Sequence, residues 1–145
     1  MTREIRVHYY QLTLGPAHLA RIRALDAIPG IRCRGVALAS SEETRRFDRS
    51  SANLEDIDEV VEGIYERMSL YHRIRAAIRH LKATEPDVII IDAPADPVQL
   101  AVGRLAQWRG LPVLTRWAAT VLDHPRYAWK EYLKGFVYRG WDGYL

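Results

Sequence analysis

The sequence has a single cysteine, Cys33, which excludes an internal disulfide framework and any zinc site built from cysteines. Its five histidines are scattered without the short spacings of metal ligands, so no metal site is predicted. No apolar run approaches the roughly 18 residues that a membrane-spanning helix needs. The first residues, Met-Thr-Arg-Glu-Ile-Arg, lack an apolar signal core, and we therefore expect a cytoplasmic protein.

Several ligand-binding signatures are also missing. The first predicted strand is followed by neither a Gly-x-Gly-x-x-Gly dinucleotide fingerprint nor a Walker phosphate loop. Tyr9, Tyr10 and Gln11 stand where a phospho-receiver domain would carry acidic residues. The chain has no Gly-x-Ser-x-Gly elbow of a serine hydrolase and no known nucleic-acid module. These absences predict that the protein binds no cofactor and no nucleic acid.

The composition is that of one globular domain. The chain has 145 residues, of which 48% are hydrophobic and 27% charged, enough to bury a sizeable core. Its net charge of +3 is unevenly distributed, because residues 42–66 carry nine acidic residues and three arginines, whereas residues 67–145 are basic and rich in Trp and Tyr. Such a basic, aromatic stretch favours anionic partners.

Predicted strands and helices alternate along the chain. Strands are predicted over 5–10, 31–38, 57–61, 87–91 and 112–115, and another begins at Gly143. Helices are predicted over 17–28, over 65–83, from the Asp96 cap and Pro97 to Gly110, and around 129–137. Residues 40–53 form either a long loop or a short helix. This order predicts an α/β fold, a doubly wound, Rossmann-like parallel sheet with helices on both faces.

The predicted helix 65–83 is strongly amphipathic. One face is apolar and consists of Tyr71, Ile74, Ile78 and Leu81. A cationic stripe beside it contains His72, Arg75, Arg79 and Lys82. His72 and His80 are two turns apart, and we expect both in solvent. The stripe and the basic, aromatic end of the chain together suggest peripheral contact with the inner face of an anionic membrane.

Ligands of doubly wound sheets bind beyond the carboxyl ends of the strands. The candidate ligand-binding loops are therefore 10–18, 39–53, 92–97 and 116–126. Within them, Gly15 either lets a ligand approach the backbone or simply forms a turn. His18 either binds a hydroxyl or phosphate group of a ligand or stands in solvent. Asp92 either binds a hydroxyl or satisfies loop amides.

Four segments together resemble family 4 glycosyltransferases, which are retaining enzymes of the GT-B fold. They are the loop and helix 14–25, the strand 85–92 with its Pro-Asp-Val-Ile-Ile, the passage 106–114 with its Gly-Leu-Pro-Val, and Thr120 to Arg126 followed by Glu131 and Lys134. The resemblance covers nearly the whole chain in the order of the family. Gly15 stands alone where a glycine pair is common, and residues 40–63 match nothing.

This resemblance implies that residues 1–145 form the N-terminal, acceptor-binding half of a two-domain enzyme. A second domain would hold the nucleotide-diphosphate sugar, and the acceptor would be a saccharide or a lipid-linked molecule. The resemblance assigns no catalytic residue and requires no essential metal. The substrate-binding residues that it implies are Gly15, His18, Asp92, Asp123, Arg126 and Lys134. Simpler roles stay open, since Asp123 could cap a helix and Arg126 could pair with Glu131.

Two other functions stay open at this point. A free-standing small-molecule binding module of the flavodoxin or receptor type would share the fold without transfer chemistry, and a bound flavin would colour it. A nucleic-acid-binding domain would explain the basic stretch and would show salt-sensitive binding.

Overall fold

A computed structural model of the chain describes residues 3–43, 56–92, 96–116, 129, 132, 135, 136 and 139–144. The strands are β1 (Ile5–Gln11), β2 (Ile31–Ala37), β3 (Ile57–Glu59), β4 (Val88–Ile91), β5 (Val113–Thr115) and β6 (Gly143–Tyr144). The helices are α1 (Pro16–Asp26), α2 (Leu70–Thr84) and α3 (Pro97–Trp108), and a 3₁₀ turn covers Tyr65–Arg67.

These strands form one sheet in the order β3-β2-β1-β4-β5-β6, and every neighbouring pair is parallel. The predicted doubly wound α/β fold is confirmed. The strand order reverses between β1 and β4, where crossovers leave the sheet in opposite directions and open a crevice at the carboxyl edge. Among the described residues, no helix is both long enough and apolar enough to cross a membrane.

Two apolar cores lie on the two faces of the sheet. On one face, Tyr9 and Ile90 pack with Ile22 of α1. On the other face, Tyr10 and Ile91 join the buried residues of α2 and α3. Because successive side chains of a strand point to opposite faces, β1 and β4 are buried on both sides. This explains the uninterrupted apolar run that predicted β4.

Helix starts follow the predicted turn chemistry. The Asp96 carboxylate accepts hydrogen bonds from the backbone N–H groups of Val98 and Gln99, both at 3.0 Å, and thereby caps α3. Pro97 occupies the first turn, where its missing N–H costs nothing. After α3, Gly110 has φ +71°, a left-handed conformation typical of the residue that ends a helix. The predicted cap and stop of this helix are confirmed.

The predicted helix 65–83 was wrong at its start and on part of its apolar face. The chain makes a 3₁₀ turn and then begins α2 at Leu70, with the Ser69 hydroxyl accepting from the His72 N–H at 3.2 Å. Tyr71 therefore lies in the first turn and is 73% exposed, whereas Leu81 is buried.

The expectation that His80 lies in solvent was also wrong, because its side chain is only 14% exposed. Tyr10 and Asp58 extend from the strands beneath α2 and bind its ring, with the Tyr10 hydroxyl 3.2 Å from Nδ1 and the Asp58 carboxylate 3.1 Å from Nε2. Polar partners on the sheet thus make burial of this histidine possible. His72 is exposed, as expected.

Two further predictions fall partly on residues that the structure does not describe. Trp129, Tyr132, Gly135 and Phe136 have helical backbone, as the predicted last helix requires, whereas Leu133 and Val137 lie outside the described residues. Of the predicted loop or short helix at 40–53, residues 44–53 lie outside them as well.

Candidate functional site

Polar side chains meet at the carboxyl edge of the sheet, beside the point where the strand order reverses. Gln11 is the last residue of β1, Asp92 directly follows β4, and Arg116 directly follows β5. His18 lies in the first turn of α1, which starts after the loop that leaves β1. We call these four residues the edge cluster. Its members come from four segments, and the parallel sheet brings them together.

Asp92 is the centre of the edge cluster. Gln11 Nε2 donates to its Oδ2 at 2.8 Å, and Arg116 Nη1 donates to its Oδ1 at 3.1 Å. His18 Nε2 lies 3.3 Å from the same Oδ2. Burial alone would raise the pKa of the Asp92 carboxyl, but the hydrogen bond from His18 and the charge of Arg116 outweigh it and hold the pKa below its usual value. Asp92 is therefore ionised at neutral pH.

The orientation of the Gln11 amide is fixed by its neighbours. Its Oε1 accepts from the Leu12 N–H at 2.9 Å and from Gln99 Nε2 at 3.4 Å. Gln99 is fully buried in α3 and cannot easily move. The NH₂ group of Gln11 must therefore point at Asp92 and His18.

His18 is oriented by the loop that precedes its helix. The Gly15 N–H donates to its Nδ1 at 3.1 Å, so the hydrogen-bond network assigns the ring proton to Nε2. That Nε2–H faces Gln11 Nε2, another donor, at 2.9 Å. Both groups also lie within reach of Asp92 Oδ2, so two neighbouring donors compete for one oxygen. An oxygen atom that accepted from one or both of them would relieve this competition.

Tyr9 adds a further donor beneath the edge cluster. It is buried, and its hydroxyl lies close enough to Asp92 and Arg116 to feel their charges. Burial and the negative charge of Asp92 raise the pKa of this phenol, which is therefore a neutral donor. Among the described residues its oxygen has no hydrogen-bond partner of normal geometry. Tyr9 therefore adds a neutral hydroxyl donor beside Asp92.

This arrangement suits the binding of hydroxyl and other oxygen groups. A sugar hydroxyl both donates and accepts, and the edge cluster offers a carboxylate, an amide, an imidazole and a guanidinium. Within the ranges described, no three His, Cys, Asp or Glu side chains are grouped closely enough to hold a metal ion. The groups of the edge cluster can therefore recognise and orient a hydroxylated ligand.

The structure brings three of the six predicted substrate-binding residues together: Gly15, His18 and Asp92. The other three, Asp123, Arg126 and Lys134, lie outside the described residues, as do His124 and Glu131. The loop prediction placed Gln11 and Arg116 inside segments of interest but did not single them out. Both stand at a strand end beside the switch point, and that position was the signal that could have identified them.

Comparison with known proteins adds a result at the level of the fold. No protein-family model matches the chain, and no curated protein matches its sequence. A crystal structure of UDP-N-acetylglucosamine 2-epimerase superimposes with a TM-score of 0.56 over 93% of this chain, at 15% sequence identity. The likeness shows the fold alone. This fold is a Rossmann-like domain of the GT-B type, and the chain spans 40% of the epimerase chain.

Proposed function

We propose that the chain is the acceptor-binding domain of a retaining glycosyltransferase, which moves a sugar from a nucleotide-diphosphate sugar to an acceptor. The observation that carries this proposal is the edge cluster, a set of oriented hydrogen-bonding groups around the ionised Asp92. It lies where a doubly wound sheet binds ligands. The four segments that resemble family 4 glycosyltransferases support the same function.

The chemistry of the edge cluster favours a hydroxylated acceptor. Asp92 and the donors around it can bind a sugar hydroxyl in one orientation, and a fixed orientation accelerates group transfer. The competing donors of Gln11 and His18 leave a place for a hydroxyl oxygen. These side chains would position the acceptor rather than break the bond to the donor.

The donor sugar would be bound mainly by a second domain. Nothing in the sequence of this chain matches a phosphate-binding loop. The fold-level likeness to an epimerase whose name includes a nucleotide sugar is compatible with this division of labour. Residues 1–145 alone would then bind an acceptor weakly and perform no transfer.

Heteronuclear NMR on the 16.7 kDa chain tests the proposed acceptor role. We expect methyl glycosides to shift the Gln11 amide and His18 imidazole signals saturably, because their hydroxyls enter the edge cluster. The His18→Ala variant should weaken this binding about tenfold, since hydrogen bonds to charged groups are the stronger ones. His72→Ala, which removes an exposed histidine of α2, is the matched control and should leave the binding unchanged.

Two alternative functions are outcomes of the same experiment. If flavin mononucleotide shifts the edge cluster and glycosides do not, the chain is a flavodoxin-like binding module instead. If an oligonucleotide binds with strong salt dependence, the basic stretch serves nucleic acid. Either result would overturn the acceptor proposal.

A further inference from the structure

A concave site lies at the other end of the strands, on the face that α2 covers. It has a volume of about 350 Å³, far from the edge cluster, and we call it the amino-end cavity. Its lining includes Arg6, His8, Arg32, Arg34, Asp58 and Thr84. Farther along the same face, β1 and β2 continue with Tyr10 and Val36, which are fully buried in the apolar core.

The strand register places basic residues side by side in this cavity, and Arg6 and Arg32 form a pair of like charges. Arg6 is directly opposite Arg32, and His8 is directly opposite Arg34, in the parallel pairing of β1 with β2. Like charges opposite each other on neighbouring strands destabilise a sheet. An anion between the two strands would remove this repulsion.

Carboxylates inside the cavity neutralise only part of this charge. Arg34 Nη2 binds Asp58 Oδ1 at 2.6 Å, and the other oxygen of Asp58 binds His80 Nε2 at 3.1 Å. Both oxygens of Asp58 are therefore occupied. Glu4 lines the cavity as its other acidic side chain.

Arg6 and Arg32 are held from outside the cavity. Arg6 Nε lies 3.3 Å from Asp87, which also binds Arg3. Arg32 is paired only loosely, at 3.7 Å from Asp26 and at 3.5 Å from Asp56. None of these carboxylates is part of the lining. The guanidinium groups therefore keep donors available to a ligand.

Two polar groups at the floor of the cavity are buried, whereas side chains at the end of a strand are usually exposed to solvent. His8 is almost fully buried, with its Nδ1 3.5 Å from the Thr84 hydroxyl. Burial and the neighbouring His80 lower the pKa of His8 to about 4, so its ring is neutral at pH 7. Arg34 Nε is buried without a hydrogen-bond partner among the described residues.

We propose that the amino-end cavity binds a small molecule through an oxyanion, a phosphate or a carboxylate, held by Arg6, Arg32 and Arg34. His8 and Thr84 would contact the neutral part of the ligand. Arg residues suit this role because their planar forks match the two oxygens of such groups. This site goes beyond the proposed acceptor role, since it lies at the opposite end of β1 and shares no residue with the edge cluster.

NMR titration with inorganic phosphate and, separately, with acetate tests this proposal on the 145-residue chain. We expect one of them to shift the His8 ring and Arg34 Nε–H signals saturably, and the stronger of the two identifies the oxyanion. Arg32→Gln should weaken binding about tenfold, because it removes a charged donor. Arg23→Gln, at an exposed arginine of α1, is the matched control and should have no effect.

A second variant keeps the test independent of any loss of folding. Glu4→Gln removes a carboxylate from the lining and should tighten oxyanion binding severalfold, an effect that unfolding cannot mimic. The proposal is overturned if neither anion gives saturable shifts, or if the exposed His72 shifts as much as His8. It is equally overturned if Arg32→Gln and Arg23→Gln bind alike while both remain folded.

Discussion

Histidines of this chain differ in role because their surroundings differ. His18 accepts a backbone hydrogen bond and points its proton at Asp92, His80 bridges Tyr10 and Asp58, and His72 stands in solvent. From their spacing on one helix, His72 and His80 were both predicted to lie in solvent. The difference arises from Tyr10 and Asp58, which reach His80 because β1 and β3 both pair with β2.

At the residue scale, His8 makes stability depend on pH. Its pKa is about 4 in the folded chain and 6.5 when unperturbed, so between these values the unfolded chain binds a proton that the folded chain does not. The free energy of unfolding should therefore fall as the pH drops from 6.5 to 4, by up to about 1.4 kcal/mol per pH unit from this residue. The groups that act on His8 are His80, Asp58, Arg34 and Arg6.

Urea denaturation at a series of pH values measures this effect. The His8→Gln variant should lose most of the slope between pH 6.5 and 4, whereas His72→Gln, an exposed histidine on α2, should keep it. Equal slopes for His8→Gln and the unaltered chain would show that His8 takes up its proton in the folded state.

At the element scale, the contact between α3 and the end of the chain depends on Gly103. A Cβ atom there would lie 2.8 Å from the Trp141 ring and 2.9 Å from Ile91 Cδ1, and the buried ring has little freedom to move. Gly103→Ala should therefore lower the free energy of unfolding by about 1–3 kcal/mol, in spite of the higher helix propensity of alanine.

Gly135 provides the matched control, because it also has helical backbone and its Cβ would meet nothing within 4 Å. Gly135→Ala should raise the free energy of unfolding by about 0.5–1 kcal/mol through helix propensity alone. Chemical denaturation of both variants decides the matter. A stabilising Gly103→Ala would mean that α3 and Trp141 pack less closely than the structure shows.

How well an element could be predicted depended on whether its signal was local. β4 and α3 were predictable because an unbroken β-branched run and an Asp-Pro start act within a few residues. The start of α2 was not, since the apolar residue Tyr71 lies on solvent although it fits the helical period. The edge cluster was predicted only in part. Ligands of doubly wound sheets bind beyond the carboxyl ends of the strands, and this rule identifies loops but not single residues within them, such as Gln11 or Arg116.

The last helical segment exposes large aromatic side chains, and this supports the proposed membrane contact. Trp129, Tyr132 and Phe136 are 61%, 80% and 64% exposed at helical spacing, and Arg139 lies beside the last two. Aromatic and cationic side chains together favour the interface of an anionic bilayer. We therefore expect co-sedimentation with phosphatidylglycerol-containing vesicles at low salt, and less with pure phosphatidylcholine.

Variants distinguish a specific contribution of these aromatic side chains from nonspecific adsorption of the protein to vesicles. Tyr132→Ser and Phe136→Ser should reduce recovery with the anionic vesicles, because each removes an exposed aromatic group from the interface. Ile28→Ser, at an exposed apolar residue just after α1, should not. Equal recovery with neutral and anionic vesicles would end the idea of membrane contact.

At the scale of the whole molecule, one domain carries two separate polar sites on a single sheet. The edge cluster follows from the strand order, which reverses between β1 and β4. The amino-end cavity follows from the register of β1 with β2, which aligns arginines on one face. In the proposed enzyme, the edge cluster would face the donor domain, and the amino-end cavity would stay accessible at the far end.

Sugar transfer tests the proposed acceptor role most directly. Residues 1–145 and a longer polypeptide that also contains the proposed donor domain are each incubated with nucleotide-diphosphate sugars and with saccharide or lipid-linked acceptors. Release of the nucleotide diphosphate is the readout. We predict that residues 1–145 alone release it no faster than spontaneous hydrolysis, and that the longer polypeptide releases it only when an acceptor is present.

In that acceptor-dependent reaction, His18→Ala should lower kcat/KM at least about tenfold, because a positioning hydrogen bond is lost, whereas His72→Ala should leave kcat/KM unchanged. Turnover of a nucleotide sugar by residues 1–145 alone, or an acceptor-dependent rate that His18→Ala does not alter, would contradict the assignment of this domain to the acceptor.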